Sequence, residues 1–382
     1  MSEPAHERRA IPGAEDQPQA RMALETSLAA GPSHAYLFHG PAGVGKRTVA
    51  RGFAAELLAE GGDDPDGVRR RVEHGVHPDL TWVRPTGAQQ MRIEDVDGPV
   101  VAAATRTPFE SARRVFVLER VDTMNDSVAN RLLKTLEEPP AFVHLILLTD
   151  AIGQVLPTVI SRCQLVRFGP LPADRIAAAL EADGVPAERA AACARLAMGN
   201  GARARFLASD EGEALRADVD RMLASALAGG GRGADELEPW RGLLARAEER
   251  REEAELRVGE ARAERLQSEP KGRERGALER RFDETAKRDG RRARTELLEL
   301  GLTLAALGFR DLVCIAEGAE EAALDGERAA ALAPAARARD PRRLREAAER
   351  CEEARLSLEV NVTEDLALEA LGYRLAALVG SS

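Results

Sequence analysis

Ala35-Tyr36-Leu37-Phe38-His39-Gly40-Pro41-Ala42-Gly43-Val44-Gly45-Lys46 is the stretch that decides the fold. Five residues that read as a buried strand lead into a loop with three glycines and a terminal lysine, and Arg47 to Ala59 continues at helical spacing. Strand, glycine loop and helix together are the context of a phosphate-binding loop. Glycines let backbone N–H groups close around phosphate oxygens at the positive end of the helix, and Lys46 adds a mobile point charge. The chain's other lysines are Lys134, Lys271 and Lys287, and its remaining positive charge is arginine. A lysine inside a glycine loop is therefore conspicuous, and Gly40, Gly43, Gly45 and Lys46 become candidate nucleotide-binding residues.

Outward from this loop, Leu80 to Val83, Val115 to Leu118, Val143 to Leu148 and Gln164 to Phe168 read as further strands separated by helical patterns. Such alternation predicts a parallel sheet with helices on both faces, and runs apolar at every position suit strands buried on both sides. Beyond Gly169-Pro170 helical spacing takes over, so the fold class is α/β followed by all-α. Glycine breaks at Gly199-Asn200-Gly201 and Gly229-Gly230-Gly231, and a divide at Glu269-Pro270-Lys271-Gly272, give three expected parts: 1–170, 171–210 and 211–382. Residues 241–299 are dense in Arg, Glu and Ala. Their apolar positions are too sparse for a sustained heptad, and a solvated helical hairpin is expected rather than a coiled coil.

The 382 residues suffice for two or three domains; 44% are hydrophobic but only 3% aromatic, so packing is expected to rest on Leu, Val and Ala. A net charge of −10 provides no global field for a polyanion and argues against a stand-alone DNA-binding protein. Cys163, Cys193, Cys314 and Cys351 show neither paired zinc spacing nor a disulfide framework, which points to a cytoplasmic protein. No apolar run reaches the roughly 18 to 20 residues that cross a bilayer, so no membrane partner is expected.

Two positions depart from working phosphate chemistry. After the loop lysine a Ser or Thr hydroxyl should ligate Mg²⁺, and Arg47 stands there; Thr48 lies about 100° further round the helix. The strand Val115 to Leu118 should end in Asp-Glu and ends in Glu119-Arg120, whose guanidinium cannot act as a base. Independent ATP hydrolysis is not expected. ATP remains the candidate ligand of a largely intact loop, and Mg²⁺ would enter only with it.

Ala129-Asn130-Arg131-Leu132-Leu133-Lys134-Thr135-Leu136-Glu137-Glu138-Pro139-Pro140 resembles the signature of bacterial DNA polymerase III clamp-loader subunits, members of the AAA+ family. Leu156-Pro157-Thr158-Val159-Ile160-Ser161-Arg162-Cys163 resembles their SRC motif. His77-Pro78-Asp79-Leu80 and Asn361-Val362-Thr363-Glu364-Asp365-Leu366-Ala367-Leu368 look like further landmarks. The likeness runs from about residue 17 to 210, thins over 211–350 and returns in the last helix. It implies an AAA+ P-loop domain, a small helical lid and a C-terminal helical collar that forms oligomers. With the damaged loop, it points to the delta-prime type: a non-motor stator that helps load the sliding clamp onto primed DNA. Its partners would be the gamma/tau motor and delta subunits, the sliding clamp, and primed DNA through the assembled complex.

The same likeness makes Arg162 an arginine finger acting in trans, and puts Thr149 at the family's first sensor position. Thr48 and Glu119 complete the degenerate nucleotide set. Each motif also has a plainer reading: a core-facing helix, a cap, a surface ion pair. Where relatives carry a cysteine-ligated zinc module, this chain has Gly61-Gly62-Asp63-Asp64-Pro65-Asp66-Gly67, so zinc is not expected, and His74 and His77 are expected on a polar surface loop. The alternatives are an ATP-hydrolysing gamma/tau-type motor, which needs a hydroxyl at 47 and Asp-Glu at 119 and 120, a stand-alone P-loop enzyme, and a helical scaffold.

Overall fold

Each strand forms where the apolar runs predicted it. The computed structural model describes residues 11–85, 90–229, 240–267, 273–358 and 363–380, and the chain divides into two compact units. The first runs through Arg175 and takes in Met198–Ala202; the second comprises Ile176–Ala197 and the chain from Arg203 onward. The Gly230-Gly231 break, the Glu269–Gly272 divide and the landmark residues Asn361 and Val362 lie outside the described residues.

In the first unit the order is α1 (Pro18–Ala30), β1 (Ala35–His39), α2 (Lys46–Ala59), α3 (Pro65–Glu73), β2 (Leu80–Val83) and α4 (Ile93–Val96). There follow β3 (Arg114–Leu118), α5 (Asp126–Glu137), β4 (Val143–Thr149), α6 (Pro157–Ile160) and β5 (Gln164–Arg167). All pairings are parallel, in the order β2-β3-β4-β1-β5, with Tyr36 opposite Ile146 on one side and Gln164 on the other. The loop after β1 thus leaves a central part of the sheet.

Alternate strand residues serve opposite faces. Tyr36, Phe38, Val115, Val117, Ile146 and Leu148 pack with α1, α2 and α3, while Leu37, Phe116, Leu118, Leu145 and Leu147 pack with α5. Aliphatic side chains dominate both layers, yet four of the scarce aromatics gather under α2. Phe53 meets Tyr36 edge-on at 4.9 Å between ring centroids, and Phe38 lies 5.2 Å from Phe168. These large rings are fully buried and fill the space beside the glycine loop.

The second unit is helical: most of α7 (Ala173–Ala182) and α9 (Gly201–Ala208), then α8 (Ala187–Leu196), α10 (Asp210–Ala228), α11 (Arg241–Gln267), α12 (Arg273–Ala316), α13 (Gly326–Arg337), α14 (Pro341–Leu358) and α15 (Glu364–Val379). Helices α11 and α12 lie along one another, joined by Arg262–Asp283 at 2.5 Å and Arg294–Glu248 at 2.6 Å. Their packing extends inward through glycine seats: a Cβ on Gly301 would come within 2.6 Å of Leu243. The Arg/Glu-rich region is therefore a hairpin laced by ion pairs, as its sparse apolar positions imply.

Candidate functional site

The glycine loop leaves β1 with left-handed or otherwise glycine-favouring φ at Gly40 (145°), Gly43 (71°) and Gly45 (96°). Side chains are excluded as well as disfavoured here: a Cβ at Gly40 would lie 2.1 Å from the Phe168 carbonyl oxygen, and one at Gly43 would strike the Asn200 side chain. Gly45 is the N-cap of α2 and supplies no side-chain cap, so the helix opens onto the loop with its N–H groups. Gln17, missed in the sequence, fixes the loop in place. Its amide nitrogen donates to the Val44 and Gly169 carbonyls at 3.0 and 2.9 Å, and its oxygen accepts from Gly169 N–H at 3.0 Å.

Lys46 is buried and already held. Its Nζ donates to the Gly40 and Pro41 carbonyls at 2.5 Å and pairs with Asp150 at 2.6 Å. His39, at the end of β1, has a pKa below its usual value because it is desolvated and sits near the Arg167 and Lys46 charges.

Glu119 is the centre of the second motif, and it is enclosed by donors. Only 2% of it is exposed; Oε1 accepts from Trp82 Nε1 at 2.6 Å and Arg84 Nε at 3.2 Å, while Oε2 is paired with Arg47. Arg47, at the position where a metal-ligating hydroxyl is expected from the sequence, thus holds the Glu119 carboxylate. Thr48 packs its methyl on Gly13, toward the chain that precedes α1. Thr149 is buried, and its hydroxyl donates to Asp122 at 2.7 Å and accepts from Ala151 N–H at 3.0 Å. Mg²⁺ needs near-octahedral oxygen ligands, and here both oxygens of Glu119 are taken by N–H donors while the Thr149 hydroxyl is held by Asp122 and Ala151. These residues do not fit a nucleotide-bound magnesium ion.

Arg162 is brought nowhere near this loop. It precedes β5, so it lies beyond the N-terminal end of the sheet, whereas the loop lies beyond the C-terminal end; at about 3.3 Å per strand residue the two are separated by roughly 15 Å or more. Its guanidinium is partly exposed. It pairs with Glu137 at 2.6 Å and donates to the Thr158 carbonyl at 2.9 Å and to Ser161 Oγ at 3.2 Å. Glu137 belongs to the α5 signature, so the two quoted motifs meet at this point. Burial raises the neighbouring Cys163 thiol to about 12, which keeps it protonated and unreactive.

The two histidines part company. His74 stays on the surface, but His77 is buried, unlike the surface loop expected for it, because the turn at Pro78 directs its ring inward against Ser111 and Glu110. Its Nδ1 accepts from Asp79 N–H at 3.2 Å, leaving Nε2 to donate to Glu110 at 3.0 Å, and burial lowers its pKa. Asp79 accepts three backbone N–H bonds, from Phe109, Glu110 and Ser111, at 2.6 to 2.9 Å. The His-Pro-Asp landmark therefore ties the chain before β3 to the start of β2. In the glycine-aspartate loop, Asp64 caps α3 by accepting from Gly67 N–H. Among the described residues, no three His, Cys, Asp or Glu side chains are grouped to hold a metal, and no helix is long and apolar enough to cross a membrane.

Residues 16–172 match a family profile described as DNA polymerase III, delta subunit. Over 145 residues the chain is 37% identical to DNA polymerase III subunit delta' of Bacillus subtilis, covering 36% of this chain and 43% of the relative. With the same subunit of Pseudomonas aeruginosa it shares 37% over 146 residues, covering 37% and 44%. DNA polymerase III subunit gamma of Buchnera aphidicola is 30% identical over 148 residues, covering 37% and 40%. The chain thus spans less than half the length of each of these relatives.

Proposed function

We propose, from the likeness of residues 16–172 to the DNA polymerase III delta subunit profile and to the delta' relatives, that the protein is the non-motor, delta-prime-type subunit of a clamp loader. It sits in a cytoplasmic ring beside gamma/tau-type motor subunits and a delta subunit, and helps place the sliding clamp on primed DNA. Its three parts are the 1–170 AAA+ domain, the 171–210 lid and the 211–382 collar.

One observation carries this reading: Glu119, where a motor's metal-holding carboxylate belongs, is buried and bound by Arg47, Arg84 and Trp82. Arg120 follows it where a catalytic carboxylate would be needed. A centre so arranged neither holds the metal nor orients a water, which favours delta-prime over the gamma/tau motor and over a self-contained P-loop enzyme. Arg162 acts on a neighbour's ATP. Its guanidinium stands at the far end of the sheet from its own loop, tethered by a half-exposed carboxylate that a γ-phosphate can replace. A planar fork bridges phosphate oxygens and offsets charge in the transition state.

The test is ATP hydrolysis by reconstituted loaders with Arg, Ala or Lys at 162. Both substitutions are expected to lower clamp- and DNA-stimulated hydrolysis while assembly persists; an arginine finger is worth ~10³ to 10⁵ at one site, diluted in total turnover by the other motor sites. Unchanged hydrolysis in both variants removes Arg162 from the mechanism. Collapse of the isolated Arg162→Ala chain would make the residue structural.

A further inference from the structure

We propose that the Gly40–Lys46 loop binds a nucleoside polyphosphate as a metal-free anion, with the Arg47 guanidinium taking the place of the divalent cation. The inference extends the reading of this loop as a phosphate cradle without ATPase chemistry.

The first support is an account of oxygen lone pairs. Glu119 receives Trp82 and Arg84 on one oxygen and Arg47 on the other, and its side chain is 3% exposed, so a metal could reach it only by expelling a guanidinium. Asp122 is bonded to Thr149 and Asp150 to Lys46. Thr48 turns to Gly13, and position 120 carries no carboxylate.

The second is charge. A working loop has one lysine, two carboxylates and Mg²⁺, and is left with one net positive charge. Here Lys46, Arg47 and Arg84 stand against Glu119, Asp122 and Asp150, so the carboxylates of the site are balanced with no metal. Adding Mg²⁺ would set a divalent ion against the Arg47 guanidinium, a like-charge contact in a partly desolvated place.

The cradle itself is kept. Gly40, Gly43 and Gly45 hold the backbone in conformations that side chains disfavour, α2 presents its N–H groups, and Gln17 pins Val44. A loop that had lost all phosphate contact would have no use for a buried lysine bound only to backbone carbonyls and a half-exposed aspartate. An arriving polyphosphate replaces those acceptors around Lys46, and Arg47, 61% exposed, reaches the phosphates while keeping its hold on Glu119.

The test is binding of fluorescent ADP and ATP analogues to the purified full chain, read by anisotropy in excess Mg²⁺ and in excess EDTA. Trp82 fluorescence is a second readout, because its indole N–H is bonded to Glu119. In EDTA the wild-type affinity is expected to equal or exceed that in Mg²⁺, within about threefold, a difference under ~1 kcal/mol. Arg47→Ser should weaken binding in EDTA by about tenfold or more and make it respond to Mg²⁺, since the hydroxyl and a freed Glu119 then face the phosphates. Arg47→Lys should retain most of the EDTA affinity. A wild-type chain whose binding tightens tenfold or more with Mg²⁺ overturns the inference, and so does absence of binding in both media. Either result leaves the ring-subunit reading standing on Arg162, while failure of the Arg162 test leaves the loop's metal independence untouched.

Discussion

Lowering the pH from 7.5 to 4.5 should destabilise the sheet unit, with His144 as the largest single identifiable source. His144 lies on β4, 2% exposed, with Nδ1 2.8 Å from the Ser33 carbonyl; Nδ1 donates, and Nε2 is buried with no hydrogen-bond partner. Burial, aided by the nearby Arg113 and His34 charges, lowers its pKa from 6.5 to about 4. Below pH 6.5 the unfolded chain takes up a proton that the folded chain refuses, so stability falls with pH and levels off below the folded pKa. Linkage gives a loss of about 2.5 kcal/mol by pH 4.5 from this group alone. His39 and His77, also lowered by burial, add in the same direction, so the effect is isolated as a difference from His144→Gln, whose amide can still donate to Ser33. The assay is urea unfolding in a Trp240→Phe background, so that Trp82 reports the sheet unit. Wild type should lose about 2 to 3 kcal/mol more than the variant between the two pH values. Parallel losses, within about 0.5 kcal/mol, would mean that water reaches Nε2 and the ring titrates normally.

Gln17→Leu keeps the side chain's volume but strips the Val44 and Gly169 groups of three hydrogen bonds; a cost of about 2 to 4 kcal/mol is expected, with faster hydrogen exchange at Gly169, and unchanged exchange would refute the clamp. Asp79→Ala frees three N–H groups and should cost about 2 to 4 kcal/mol and expose residues 107–112 to limited proteolysis, whereas a wild-type cleavage pattern would count against the tie. Phosphate release from ATP by the isolated chain should stay far below the ~1 s⁻¹ at the low end of ordinary enzymes; turnover at that level that vanished in Lys46→Ala would contradict the enclosed Glu119.

The sheet was legible because its central strands carry runs apolar at every position, Val115–Leu118 and Leu145–Leu148, and burial on both faces leaves that mark. The loop was legible because glycine followed by lysine has few other uses between a strand and a helix. What the sequence withheld were pairings across long separations. Nothing near Glu119 announces that Arg47, Trp82 and Arg84 all converge on it, since they come from the loop helix, β2 and the chain after β2. Gln17 is 152 residues from Gly169, and a lone glutamine before a helix carries no pattern. The burial of His77 was misjudged because polar neighbours in sequence suggested a solvated turn, while the contacts that bury it come from residues 110 and 111.

The enclosure of Glu119 also bears on whether this chain could acquire ATP hydrolysis one substitution at a time. Placing a hydroxyl at 47 removes a guanidinium from a carboxylate with 3% of its side chain exposed, leaving Arg84, itself 65% exposed, as its remaining cation. A buried charge that loses a partner is typically destabilised by a few kcal/mol. Placing a carboxylate at 120 first would set a second negative charge beside Glu119 with no metal to share. Either single substitution therefore sets an uncompensated negative charge at the site before any hydrolysis is gained. A hydrolysing site is separated from the present one by a valley, and the ion pair that closes off Glu119 opposes the entry of magnesium.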